Sequence, residues 1–180
     1  QAERDCTDLI ARWHGQGRNA YAVTPRFAAT STPEQLAMAG LLLQRHEGLY
    51  MQTHVAENRA EVAWVARLFP DARSYLDVYA QHGLLGPRSI LAHGIWLDDE
   101  DRTRLRDAGA QIAFCPSSNL FLGSGLFGWR EARERGMAVS LASDVGGGTS
   151  LSMLRTMADG YKVQALAGTR IFAVETRQAA

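Results

Sequence analysis

Cysteine is scarce in this chain. Its 180 residues hold two, Cys6 and Cys115, too few for a disulfide framework and not in a Cys-x-x-Cys arrangement. A reducing, cytoplasmic setting is therefore expected. An excess of either charge is also lacking: 19 Lys and Arg stand against 19 Asp and Glu. A phosphate-binding surface needs clustered positive charge, so no nucleic-acid partner is expected. Arg102, Arg104 and Arg106 sit among Asp98, Asp99, Glu100, Asp101 and Asp107, which reads as a solvated helix face. No apolar run approaches the ~20 residues of a membrane span, and no membrane partner is expected. The opening Gln1-Ala2-Glu3-Arg4-Asp5 has neither the basic start nor the apolar stretch of a signal peptide, and the chain does not begin with Met. Low-complexity segments, linkers and short-period repeats are absent too. One domain over residues 1–180 is the expectation.

What is present is alternation. Five short apolar runs read as buried strands: Asn19–Val23, Leu49–Thr53, Ser89–Ala92, Gln111–Phe114 and Met137–Ala142. Helical signals stand between them. Thr32, Pro33 and Gln35 form a capping box, and Gly48 is the stop. Asn58 with Glu61 opens another helix, which carries a Val62, Val65, Ala66, Phe69 stripe and ends before Pro70. Further helices are predicted over Tyr75–Gln81, from Asp98 to Gly109, over Leu126–Arg135, and over Leu151–Leu166 with a stop at Gly168. Fully apolar strands alternating with helices predict a parallel sheet with helices outside it.

The reactive residues come after the strands and never before them. Thr24-Pro25-Arg26 follows the first run, His54 the second and His93 the third. Cys115-Pro116-Ser117 follows the fourth and Asp144 the fifth. In parallel sheets function gathers at the carboxyl ends of the strands, and delivery to one common end is the habit of a (β/α)8 barrel. Five strands are fewer than eight, so the sheet is either open or part of a barrel.

His54, His93 and Asp144 are candidate metal ligands, because a borderline divalent ion accepts imidazole nitrogen and carboxylate oxygen together. The competing reading is buried histidines whose ring nitrogens are satisfied by hydrogen bonds. Glu57, three residues after His54, is placed to carry protons, or else simply to sit at a helix N-terminus and meet its dipole. Arg26 can hold a carbonyl oxygen or an anion, and Phe27 can lie on a planar ring; a surface Arg and a core Phe are the alternatives. The Gly146-Gly147-Gly148 run after Asp144 lacks the spacing and the Lys of a phosphate loop, and suits close backbone packing instead. Cys115-Pro116-Ser117-Ser118-Asn119 reads as a structured loop shaping the pocket rather than a nucleophile. The cytidine-deaminase type of zinc site is excluded, since His54-x-x-Glu57 is not His-x-Glu and no second Cys follows Cys115 in range.

These segments in order resemble the guanine deaminases of the amidohydrolase superfamily. The matching stretches are Tyr21 to Phe27, Thr53-His54-Val55-Ala56-Glu57-Asn58, Leu91-Ala92-His93-Gly94, Cys115 to Leu120, Ser124-Gly125-Leu126-Phe127 and Ser143 to Ser150. The resemblance implies an α/β fold, a partial (β/α)8 TIM barrel of the metal-dependent amidohydrolase type comprising strands four to eight, with the first three strands missing. It implies one Zn2+ held by a His-x-His pair, two later histidines and an aspartate. His54, His93 and Asp144 take the last three positions, and none of the five histidines has the His-x-His spacing. The family's small β-sandwich is absent as well.

The activity so implied is hydrolytic deamination of guanine to xanthine and ammonia in purine catabolism. Glu57 and Asp144 would be catalytic, and Arg26 and Phe27 would bind guanine. Homodimerisation could cover apolar strand edges. Two alternatives stand beside this reading: a related amidohydrolase acting on another aminated heterocycle, and a non-catalytic barrel remnant or interaction module.

Overall fold

The computed structural model describes residues 1–168. Five strands form one wholly parallel sheet in chain order: β1 (Ala22–Val23), β2 (Tyr50–Val55), β3 (Ser89–His93), β4 (Gln111–Phe114) and β5 (Ala138–Leu141). Helix α1 (Ala2–Trp13) precedes the sheet. Helix α2 (Pro33–Arg45) joins β1 to β2, and α3 (Arg59–Leu68) with α4 (Tyr75–Gln81) joins β2 to β3. Helix α5 (Asp99–Asp107) leads to β4, α6 (Pro116–Phe121) and α7 (Trp129–Glu134) lead to β5, and α8 (Met153–Gly168) follows. A doubly wound sheet reverses its strand order at a switch point. Here the order never reverses, which is the winding of a barrel arc. The fold is thus a partial (β/α)8 barrel, as the sequence predicted.

Local chemistry sets the helix boundaries as read from the sequence. The Thr32 side chain accepts from the Gln35 N–H while the Gln35 side chain accepts from the Thr32 N–H, closing the capping box of α2. Asn58 and Asp98 cap α3 and α5 by the same side-chain-to-N3 bond. Gly40 lets α2 approach the end of α4: a Cβ there would lie 2.1 Å from the His82 carbonyl oxygen.

Several boundaries moved. Strand β2 runs to Val55 and β3 to His93, because the ladder pairs His54 with Ala92 and Val55 with His93. Both histidines therefore lie within their strands rather than after them, His54 one residue from the end of β2 and His93 at the end of β3. The segment at Pro116 is a helix, not a loop; proline at its first turn loses no needed N–H, and Ser118 and Asn119 spend their side chains on the site rather than on a turn. Leu126 and Phe127 lie outside α7, and Phe127 stacks on Phe114 in the core at 5.1 Å. Helix α1 was not foreseen from the polar N-terminus, and Ile10 is its one buried residue. The predicted stop at Gly168 falls at the last described residue.

Alternation along the strands decides which side chains meet. Met51, Thr53 and Val55 of β2 face the helices and are buried; Gln52 and His54 face the other way. In β4, Ile112 and Phe114 are buried beneath the helices. The core lies between sheet and helices, with Leu36, Leu76, Leu91, Leu105 and Tyr79 fully enclosed. Among the described residues no helix is long and apolar enough to cross a membrane.

Candidate active site and metal centre

Three elements bring the predicted ligands together. His54 comes from β2, His93 from the end of β3 and Asp144 from just beyond β5. Their donor atoms all lie within 4.8 Å of one another. His93 and Asp144 adopt left-handed backbone, with φ of 71° and 48°. Such conformations cost ~1–3 kcal/mol and persist where surrounding contacts enforce them. The left-handed turn swings His93 from the helix side of its strand toward the strand ends.

The hydrogen bonds select the imidazole tautomers. His54 Nδ1 lies 2.7 Å from the Arg26 carbonyl oxygen, which can only accept. Nδ1 therefore carries the proton, and Nε2 keeps its lone pair. His93 Nδ1 lies 2.8 Å from Asn119 Oδ1, and the same logic holds there. His93 Nε2 is buried and has no hydrogen-bond partner among the described residues. A buried, unpaired lone pair is costly unless something accepts it, and ligating histidines characteristically donate their other nitrogen to a fixed oxygen. The two rings stack at 5.4 Å. The residues present thus fit a metal ion, and the alternative of histidines satisfied on both nitrogens fails for His93.

Glu57 sits in the same place. Its Oε2 lies 3.7 Å from His93 Nε2, and its Oε1 accepts from Ser124 Oγ at 2.7 Å. Asp144 Oδ2 lies 3.9 Å from His93 Nε2 and accepts from Ser118 Oγ at 2.5 Å. The loop after β5 passes close over this carboxylate: a Cβ on Gly147 would stand 3.1 Å from Asp144 Oδ2 and 3.2 Å from Ser118 Oγ. That is the close backbone approach expected of the glycine run.

Arg26 and Phe27 face the same cavity, of about 190 Å³, which His54, Glu57, Glu61, His93, Leu122 and Asp144 also line. Phe27 meets the His54 ring edge-on at 6.4 Å, and the Arg26 guanidinium lies 5.6 Å from the Phe27 ring centre. The candidate ligands His54, His93 and Asp144, the proton carrier Glu57 and the substrate-binding candidates Arg26 and Phe27 therefore line one cavity.

Other contributors were missed. Tyr79, buried on α4, accepts from the Ala28 N–H at 2.9 Å and donates to the His54 carbonyl at 2.7 Å, tying the Arg26–Phe27 loop to β2. Burial pushes its phenol up to about 12. Glu61 was read only as a capping partner, yet its carboxyl is buried in the cavity wall and its pKa is raised, first by burial. No spacing in the sequence links residues this far apart. Cys115 is 1 % exposed, and burial, with the charge of Asp144 behind it, lifts its thiol to about 12. It stays protonated at neutral pH and is no nucleophile.

Sequentially ordered parallel strands, with imidazoles and a carboxylate collected at their carboxyl ends, define the class: a barrel-type α/β protein whose site could hold a metal ion. More narrowly, the profile of the amidohydrolase family matches residues 1–179, and the chain belongs to that family. Guanine deaminase from Escherichia coli K12 is 47% identical over 168 residues, covering 93% of this chain and 38% of that protein. The solved E. coli structure superposes with a TM-score of 0.92 over 94% of this chain and 40% of its own. A guanine deaminase from Clostridium acetobutylicum (C. acetobutylicum), solved with guanine in its active site, is 28% identical with a TM-score of 0.86, covering 90% of this chain and 39% of its own. The chain thus spans about two-fifths of the length of these relatives.

Proposed function

We propose that this chain carries the substrate-binding and proton-transfer half of a zinc-dependent guanine deaminase. The observation that carries the reading is the single cavity shared by Arg26, Phe27 and Glu57 with His54, His93 and Asp144. Its similarity to guanine deaminases supports the choice of substrate.

His54 Nε2, His93 Nε2 and an Asp144 carboxylate oxygen would hold Zn2+. When bound, zinc supplies Lewis acidity and lowers the pKa of water toward ~7. The chain's residues do the rest. Arg26 holds the purine carbonyl oxygen with its guanidinium, and Phe27 packs on the ring. Asp144 takes a proton from the attacking water. Glu57 delivers a proton to the ring nitrogen beside the amino-bearing carbon, takes one from the new hydroxyl group as that becomes a carbonyl, and passes it to the departing amine; the proton held by Asp144 then returns Glu57 to its acid form. The C–O bond forms, the C–N bond breaks, and water and guanine become xanthine and ammonia. Positioned acid–base groups of this kind contribute ~10²–10⁴-fold.

The test measures zinc content and ammonia release from guanine, with adenine, cytosine and aminotriazines beside it. Stoichiometric zinc and ammonia from guanine alone are expected. Substoichiometric zinc with no ammonia sinks the enzymatic reading in favour of a non-catalytic module; ammonia from another heterocycle reassigns the substrate. Glu57→Gln should abolish turnover and keep zinc. A cytoplasmic setting and a homodimer covering sheet edges belong to the same proposal; sedimentation at monomer mass would remove the dimer.

A further inference from the structure

The Cys115-Pro116-Ser117-Ser118-Asn119 motif has no part in the chemistry above. Its helix and the turn that follows nonetheless hydrogen-bond to three of the groups that the chemistry uses, His93, Asp144 and Glu57. Asn119 Oδ1 accepts from His93 Nδ1 at 2.8 Å. Ser118 Oγ donates to Asp144 Oδ2. Ser124 Oγ donates to Glu57 Oε1 at 2.7 Å, across 67 residues of sequence. Ser118, Asn119 and Ser124 are 0%, 1% and 5% exposed, so water does not compete for these bonds.

The segment is rigid for a local reason. Ser124 N–H bonds to the Asn119 carbonyl at 2.9 Å and Gly123 N–H to the Leu120 carbonyl at 3.3 Å, with Gly123 at φ 68°. This is a Schellman ending, in which the residue after the left-handed glycine is locked back onto the helix. Asn119 thus holds His93 with its side chain and Ser124 with its carbonyl. From outside, Trp96 Nε1 donates to the Ser124 carbonyl at 2.9 Å. Pro116 stiffens the other end.

We propose that residues 118–124 form one positioning platform, a short helix and its cap that set the tautomer of His93, the orientation of Asp144 and the orientation of Glu57 together. Asn119 and Ser118 act on the metal ligands, and Ser124 acts on the proton carrier. The division of labour rests on the functional reading above, but its first consequence does not. In the metal-free chain, Asn119 makes the one hydrogen bond to the His93 ring among the described residues and so holds the proton on Nδ1, against the Glu57 and Asp144 carboxylates that stand 3.7 and 3.9 Å from Nε2.

The test uses the 180-residue chain and three sets of variants. In ¹⁵N spectra of the neutral His93 ring, the parent and Asn119→Asp should show Nδ1 protonated, and Asn119→Leu should shift the proton toward Nε2. Zinc affinity, read by chelator competition with Zn2+ alone, should fall ~10–100-fold in Asn119→Leu and in Ser118→Ala, the usual cost of losing a ligand's supporting bond. Ser124→Ala should leave zinc affinity unchanged, move the ¹³C carboxyl resonance of Glu57, and lower kcat on guanine with KM retained; Ser124→Thr should restore kcat. An unchanged His93 tautomer in Asn119→Leu overturns the platform. So does a zinc loss in Ser124→Ala equal to that in Asn119→Leu, which would mark general loosening. A parent that binds no zinc refutes the metal reading instead, and the two resonances then decide the platform.

Discussion

Replacing Tyr79 with Phe removes one oxygen from the structure and should cost far more than an average single-atom change. The Tyr79 hydroxyl is the hydrogen-bond partner of the Ala28 N–H at 2.9 Å and of the His54 carbonyl at 2.7 Å, and the Thr53 hydroxyl lies 3.0 Å from it. Ala28 and Tyr79 are 0% exposed, so water cannot replace the lost oxygen. Thr53 retains the Arg26 carbonyl at 3.2 Å as an alternative acceptor. Two main-chain groups are then left unpaired, each costing ~1–3 kcal/mol. Allowing for partial relaxation, Tyr79→Phe should destabilise the chain by about 2–4 kcal/mol, which lowers Tm by roughly 4–16 °C for a chain of this size. Urea unfolding should show a lower midpoint at an unchanged slope. The same bonds hold the Arg26–Phe27 loop against β2, so on the proposed function KM for guanine should rise more than kcat falls. A stability change below ~0.5 kcal/mol, the range of ordinary surface substitutions, would refute the assignment of Tyr79 as the tie.

Glu61→Gln should stabilise the chain in a pH-dependent way. Burial raises the folded-state pKa of Glu61 above its ordinary value, so the neutral form favours the fold at acid pH and that support is lost as pH rises through the raised pKa. Parent and variant should therefore match near pH 4 and diverge above it, with the variant ahead; equal stability at neutral pH would show that the Glu61 carboxyl is solvated. Gly40→Ala places a methyl 2.1 Å from the His82 carbonyl oxygen, and should cost ~1–3 kcal/mol in urea unfolding by forcing α2 off α4; a neutral effect would mean that the two helices are not in contact. In thiol titration, Cys6, partly exposed, should react in the folded chain and Cys115 only in denaturant; prompt reaction of both would contradict the burial of Cys115.

Much of the site was legible because it is built from strand ends. A run such as Ser89–Ala92 announces a buried strand, and a histidine after it stands out because histidine rarely ends an apolar run without a reason. Thr32 and Asn58 announced their helices because a cap is a bond between residues three apart. Other features were hidden. The helix at Pro116 read as a loop because serine and asparagine favour turns when their side chains are free to bond locally. Here those side chains are committed to His93 and Asp144 instead. Tyr79 gave no signal at all, since a tyrosine at a core position of a helix looks the same whether or not its hydroxyl is used.

The sequence by itself determined the alternation of strands and helices, the caps, the placement of His54, His93 and Asp144 at one end of the sheet, and the resemblance that led to the family. Those are consequences of period, of bonds within four residues, and of ordered motifs. Only the tertiary structure decided that the three donor atoms converge within 4.8 Å, that His93 Nε2 is left unpaired, and that Ser118, Asn119 and Ser124 stand behind the working groups. Those bonds join residues 26 to 67 positions apart, and a hydrogen bond depends on distances of a few tenths of an ångström that no linear spacing encodes.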